Sequence, residues 1–272
     1  MSPHRKPLIL LTNDDGFFAP GIEALELKAR ELGDIYVVAP DREKSATSLA
    51  LTLRQPLRVH RVRDNVFAVD GTPADCIYLA LRKILPRKPD LVLAGINPGP
   101  NLGRQDVAYS GTVAGALQGS FFHIPSMAVS CLPDSSSRLP FAFAADVALK
   151  MATGLLRAKL PPGTVLNVNV PRPPVKGIRM TTLGEKRYSP EVIEKKDPRK
   201  NVYFWIGMGK IKAVGGQGSD VRAVERGFIS VTPLHRDMTD HQVLDLPSFR
   251  SIFNFSLGGP PAGLRAGASK TR

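Results

Sequence analysis

Residues 8–21 read "LILLTNDDGFFAPG", an apolar run that ends in two adjacent aspartates, Asp14 and Asp15. Asp-Gly after a strand commonly signals a hairpin, but no strand returns here. Pro20-Gly21 instead opens a helical pattern with Ile22, Leu25, Ala29 and Leu32 on one face. Asn13, Asp14 and Asp15 therefore sit where a strand hands over to a helix. In an open α/β sheet, ligands bind in the crevice at the carboxyl ends of the strands. The two carboxylates mark a candidate site.

Further strand-like runs lie at 34–40, 65–71, 90–97, 126–132 and 164–171, with helical patterns at 21–33, 73–85, 112–122 and 141–160. Near-continuous apolar strands alternating with helices predict an α/β fold, Rossmann-like, with a mostly parallel sheet covered by helices on both faces. Ala114, Gly115, Ala116 and Gly119 are small enough for their helix to pack close to that sheet. After residue 184 the texture changes. "EKRYSPEVIEKKDPRKNVYFWIGMGKI" is charged at its base and carries Tyr203-Phe204-Trp205, which reads as an extended arm or hairpin. "GFISVTPL" (227–234) is one more strand, and "GGPPAGLRAGASKTR" reads as a disordered basic tail. The expected division is an α/β core over 1–184 and, over 185–272, a C-terminal hairpin arm, final strand and tail.

A chain of 272 residues with 43% hydrophobic and 22% charged residues has the composition of a soluble globular protein. No apolar run approaches the ~20 residues of a membrane span. The basic start, "MSPHRKPLILL", is followed by an apolar stretch that stops at Thr12, too short for a signal peptide. Cys76 and Cys131 sit inside apolar patterns and make no disulfide framework. The expectation is a cytoplasmic protein without membrane attachment. The net charge of +13 is uneven: residues 1–150 hold 17 Lys and Arg against 15 Asp and Glu, whereas the remainder holds 20 against 9. A basic half can attract nucleic acid or small anionic substrates. No basic run is interleaved with aromatics as in an RNA-binding sheet, so nucleic acid is the less favoured partner.

Three more segments leave strands as Asp14-Asp15 does. "VVAPDREKSATS" supplies Ser45, "LAGINPGPNLG" supplies Asn97 and Asn101, and "DVAYSGTVAGA" supplies Asp106 and then Ser110-Gly111-Thr112 at a helix start. Singly, each has an ordinary explanation as a loop bond or an N-cap. Together, carboxylates, an amide oxygen and a hydroxyl form a hard-oxygen set suited to Mg²⁺ or Mn²⁺. The helix start offers amides and a dipole to an anion. An oxygen-ligand cation beside an anion pocket is the apparatus of phosphoryl chemistry.

"LLTNDDG", "VVAPDREKSA", "VDGTPADC", "PDLVLAGIN", "YSGTVAGA", "LNVNVP", "DPRKNVYFWIG" and "SVTPL" occur in an order that resembles the stationary-phase survival protein (SurE) family, over residues 8 to 240. The resemblance implies a metal-dependent phosphatase of nucleoside 5′- and 3′-monophosphates, and in some members of short polyphosphate. It implies one divalent ion per subunit, Mg or Mn, held by Asp14, Asp15, Ser45 and Asn97. Two carboxylates sharing one ion and one proton commonly divide roles, and Asp15 is expected to orient or deprotonate the attacking water. Asn101 and the Ser110-Gly111-Thr112 turn match the phosphate-binding surroundings. It also implies a homodimer or higher oligomer, with exchanged C-terminal tails and the hairpin as an assembly element. Large aromatics on an extended arm without a core point the same way.

Three departures stand out. Ala46 replaces the usual glycine after the metal-site serine, "NLGRQD" lengthens the usual spacing before Asp106, and "DPRK" replaces "DPRG". Two other readings remain. An aspartyl-phosphate phosphatase normally shows Asp-x-Asp, which adjacent Asp14-Asp15 does not fit. A nucleotide- or nucleic-acid-binding module without turnover would use the basic half.

Overall fold

Strand β1 (Leu8–Thr12) is buried along its whole length, as a strand covered on both faces must be. The computed structural model describes residues 5–133, 139–158, 160–189, 191–207 and 211–252. Its central sheet also contains β2 (Asp34–Pro40), β3 (Val59–Arg63), β4 (Val66–Val69), β5 (Leu91–Pro98), β6 (Ser126–Cys131), β7 (Thr164–Val170), β8 (Ile178–Met180) and a late strand, Ile229–His235. The order is β3-β4-β2-β1-β5-β6-β7, then the late strand, then β8. From β4 to β7 all pairs are parallel, and the late strand runs antiparallel to β7. The expected mostly parallel α/β sheet is what the chain forms.

The helices are α1 (Pro20–Ala29), α2 (Pro73–Leu79, continued by a wider π turn to Ile84), α3 (Gly103–Tyr109), α4 (Gly111–Phe121), α5 (Phe141–Arg157) and α6 (Asp220–Glu225). Ile9 and Leu11 of β1 join the core under α1 and α5, whereas Leu10 joins the core under α2. Alternation of side chains along one strand thus feeds both layers. Pro20 at the first position starts α1, and Thr72 with Asp75 forms a capping box on α2. Helix α4 packs very close: a Cβ on Gly115 would stand 2.8 Å from Thr12 Cγ2 and one on Gly119 2.5 Å from Ser126 Oγ. The helices are shorter at their C-terminal ends than the apolar patterns suggest. α3 has a mixed face and no side-chain cap, which is why its segment reads as loop.

Between β9 (Glu185–Tyr188) and β12 (Ile211–Val214), which pair antiparallel, stands the hairpin of β10 (Glu191–Lys196) and β11 (Val202–Gly207). The late strand is β13 (Ile229–His235). Chain contacts divide the protein into residues 1–236 and 237–272. The second unit contains the short helices α7 (His241–Leu244) and α8 (Pro247–Ser251), with Asp240 capping the amides of Gln242 and Val243. The expected basic tail lies outside the described residues. Among the described residues no helix is long and apolar enough to cross a membrane.

The chain runs β1 to β2 to β4 on one side, then returns to β5 on the other side of β1. The strand order therefore reverses between β1 and β5. In an open α/β sheet a ligand crevice lies at the carboxyl ends of such a pair. Thr12 of β1 pairs with Ala94 of β5, so Asp14-Asp15 and Asn97 leave adjacent strands at the same end.

Candidate active site

Asp14 is buried against the first turn of α4. Its Oδ1 accepts the Thr112 hydroxyl at 2.5 Å. Gly111 permits the approach, because a Cβ there would lie 2.8 Å from Asp14 Cβ and 2.9 Å from its Oδ2. Burial pushes the Asp14 carboxyl above its usual range, while the Thr112 hydroxyl and the amides of Thr112 and Gly111 hold it down. The anion favoured at this helix start is thus a side chain of the protein itself.

Asp15 has no comparable support. Burial, then the charges of Asp14 and Glu43, push it up to about 7. Among the described residues its Oδ2 is buried without a hydrogen-bond partner, as are Asn13 Oδ1 and Thr12 Oγ1. Three orphaned oxygens within four residues is a costly concentration, since each unpaired buried polar atom costs about 1–3 kcal/mol.

The other expected residues approach from neighbouring loops. The loop after β2 is tied to the site by Lys44 N–H donating to the Asp14 carbonyl at 2.7 Å. Ser45 itself is exposed and donates to Glu43 Oε1 at 2.8 Å. Ala46 has φ +57° and Ser48 φ +50°. The position where the resemblance leads one to expect glycine does adopt the left-handed backbone, at a cost to alanine of about 1 kcal/mol. At the end of β5, Asn97 Nδ2 donates to the Gly99 carbonyl at 2.7 Å, which leaves Oδ1 without a partner among the described residues. Gly99 N–H also reaches the Cys131 carbonyl, and the charge of Asp15 adds to the burial that pushes the Cys131 thiol up to about 12. Asp15, Asn97 and the end of β6 are in this way neighbours.

Ser110 joins α3 to α4. Its hydroxyl accepts the Val113 amide at 3.1 Å and keeps its own hydrogen to donate. Asn101 is buried, and its Nδ2 donates to Ser130 Oγ at 2.8 Å. Asp106 is turned away from the carboxylate pair: it binds Lys186 and Tyr188 at the base of the arm and the Leu102 amide. Sequence reasoning missed these two arm residues, and it gives Asn167 and Asn169 of "LNVNVP" no role in the site. Their alternate spacing on a buried strand was the available signal.

A divalent cation suits this donor set. Among the described residues no three His, Cys, Asp or Glu side chains form a metal cluster. The candidate donors instead are two carboxylates with amide and hydroxyl oxygens, the mixture that hard cations take. A cation beside Asp15 would also occupy its orphaned oxygen and offset two adjacent negative charges.

Fold and site together define an α/β protein with an oxygen-rich, doubly acidic crevice at the switch point of its sheet. The family model described as Survival protein SurE matches residues 9–190, and the chain belongs to that family. It is 49% identical over 250 residues to the 5′-nucleotidase SurE of Syntrophotalea carbinolica, covering 92% of this chain and 98% of that one. It is 43% identical over 240 residues to the 5′-nucleotidase SurE of Legionella pneumophila, covering 87% and 94%. The crystal structure of the SurE protein from Aquifex aeolicus matches with a TM-score of 0.76 at 40% identity, over 90% of this chain and all of that one.

Proposed function

We propose that this chain is a cytoplasmic, metal-dependent phosphomonoesterase that hydrolyses nucleoside 5′- and 3′-monophosphates to nucleoside and phosphate, with short polyphosphate as a further substrate. The observation that carries the reading is Asp15: a carboxylate oxygen buried without a partner, beside Asp14, at the switch point of the sheet. The names of the 5′-nucleotidase relatives support the substrate class. Asp14, Asp15, Ser45 and Asn97 would hold one Mg or Mn ion, which when bound polarises a phosphoryl oxygen and acidifies water.

The chain's own groups do the rest. Thr112 and the start of α4 lock Asp14, so its carboxylate has a set direction. Asp15 orients the attacking water and accepts its proton at the oxygen that the cation would not take. The water oxygen bonds to phosphorus, the bond from phosphorus to the nucleoside oxygen breaks, and that oxygen takes a proton from solvent. Ser110 donates its free hydrogen to a phosphate oxygen, with Asn101 as a further phosphate contact, and such preset donors stabilise charge in transit. Phosphate release from a panel of mononucleotides with Mg²⁺, Mn²⁺ or EDTA tests the proposal. Release with metal and none with EDTA is expected; tight nucleotide binding without release would favour the binding-module reading.

Ser110→Ala should lower kcat/KM by about 10- to 100-fold, the loss of one oxyanion donor. It should also cost about 1 kcal/mol of stability through the lost cap. Steady-state kinetics and melting check both. A loss of turnover as complete as that of an aspartate variant would instead make Ser110 a nucleophile.

The proposed working form is a homodimer or larger, with the C-terminal tails exchanged and the hairpin at a contact. Val202, Phe204 and Ile206 lie along one face of β11 and Tyr203 and Trp205 along the other, all exposed. A two-stranded ribbon apolar on both faces lacks a core in its own subunit. Light scattering of the full chain at tens of micromolar (about 10⁻⁵ M, in the range of specific contacts) should give at least a dimer. Phe204→Ser with Ile206→Ser should shift it toward smaller species. A wild-type monomer at that concentration would end the idea.

A further inference from the structure

The stretch Asn101–Arg104 runs into α3 over the sheet, and its first three residues are buried. Irregular buried backbone must find partners for every polar group. Apart from the Leu102 amide, which Asp106 takes four residues on, the amides and the Asn101 carbonyl here are met by distant elements. Asn101 N–H donates to Asn169 Oδ1 at 2.8 Å, and its carbonyl accepts from Nδ2 of Asn167 at 2.9 Å and of Asn169 at 3.1 Å. Gly103 N–H donates to Asp220 Oδ2 at 2.8 Å, and Arg104 N–H to the Gly184 carbonyl at 3.0 Å.

Asn169 is the centre of this grip. Its two amide ends take both main-chain groups of one residue, so neither rotation about the peptide nor sliding along the strand is free. The sheet register sets Asn169 between Ser130 of β6 and Ser230 of β13. Ser130 in turn accepts from the Asn101 side chain. A fully buried interior strand normally carries Val or Ile, and asparagine is depleted in strands. Two fully buried asparagines two residues apart on β7 therefore call for a specific purpose, and the loop that they hold supplies it.

We infer that Asn169, supported by Asn167, is a positioning residue of the hydrolytic site: it fixes the main chain of Asn101 and so sets where the Asn101 side chain meets the substrate phosphate. This rests on the proposed reading of Asn101 as a phosphate contact. The competing account is that the asparagines only pin the fold, in which case they affect melting and not the chemistry.

The test uses the full chain with saturating Mn²⁺ and adenosine 5′-monophosphate, comparing Asn101→Ala, Asn169→Asp and the double variant, with melting curves beside the kinetics. Asn169→Asp keeps the shape and the acceptor but sets a carboxylate oxygen against the Asn101 carbonyl. It should lower kcat by about 10- to 100-fold, as small misplacements of a contact group do. The double variant should be no worse than Asn101→Ala within about twofold, because groups acting as a unit do not add. The Mn²⁺-induced rise in Tm should persist in all three. Losses that multiply in the double variant, or a lower Tm with unchanged kcat, would overturn the inference. Wild-type kinetics in Asn101→Ala would overturn the phosphate reading beneath it, and is distinguishable because it concerns Asn101 alone. Should Asn169→Asp fail to fold, Asn167→Asp and Asn169→Ser, which each leave part of the grip, carry the same comparison.

Discussion

Asp15→Asn is expected to lower turnover by about three powers of ten or more while leaving the metal-free protein at least as stable as wild type. The two effects separate because Asp15 is placed for function at a cost to the fold. Its Oδ2 is buried without a partner, and Asp14 and Glu43 add like charge. A neutral amide of the same shape removes that repulsion, so the metal-free Tm should hold or rise by about 2–4 °C, equivalent to about 1 kcal/mol in a chain of this size. The stabilisation that Mn²⁺ confers by mass action, about 2.7 kcal/mol at a hundred times Kd, should largely vanish. Asp14→Asn should lose turnover similarly but also lose stability, since Thr112 and the start of α4 are built around a carboxylate there. Melting with and without Mn²⁺, beside phosphate-release assays, distinguishes the pair. Wild-type turnover and an unchanged Mn²⁺ response in Asp15→Asn would remove Asp15 from the site.

Gly111→Ala is expected to come second, at about 100-fold or more in kcat/KM, although it removes no functional group. The new methyl would stand 2.8 Å from Asp14 Cβ and 2.9 Å from Oδ2, closer than packed atoms stand. Asp14 is itself buried, so the strain must move the carboxylate, the first turn of α4, or both. Overpacking of this kind typically costs about 1–3 kcal/mol, which also predicts a lower Tm. Gly216→Ala, whose methyl would meet nothing within 4 Å, is the matched control and should leave both properties unchanged. Kinetics equal to wild type in Gly111→Ala would show that the Asp14 position is not critical to turnover.

Much of this architecture is legible along the chain. The burial of β1, the switch from a continuous apolar run to period 3.6 after Asp15, and Pro20 at the start of α1 are local signals that short windows of sequence contain. The small residues of α4 announce close packing in the same way, and the order of strands and helices predicts the parallel sheet. The two aspartates are legible as well, because a charged pair at a strand exit has few structural uses. The glycine-to-alanine departure at Ala46 is visible in sequence, but its positive φ is a property of the folded loop.

What the sequence determined by itself was the sheet, its layers and the position of the acidic pair, since each follows from residue periodicity and turn chemistry within about a dozen neighbours. Tertiary structure alone decided how the acidic pair is supported. Thr112 reaches Asp14 across 98 positions, Asn169 reaches Asn101 across 68, and Asp220 reaches Gly103 across 117. Tyr188, 82 positions on from Asp106, draws that carboxylate toward the arm and away from the crevice. Bonds of side chains to distant groups impose no period on the chain. They exist only once the strands have set their register, and so only the folded protein reveals that Asp14 is held while Asp15 is left with an oxygen to spare.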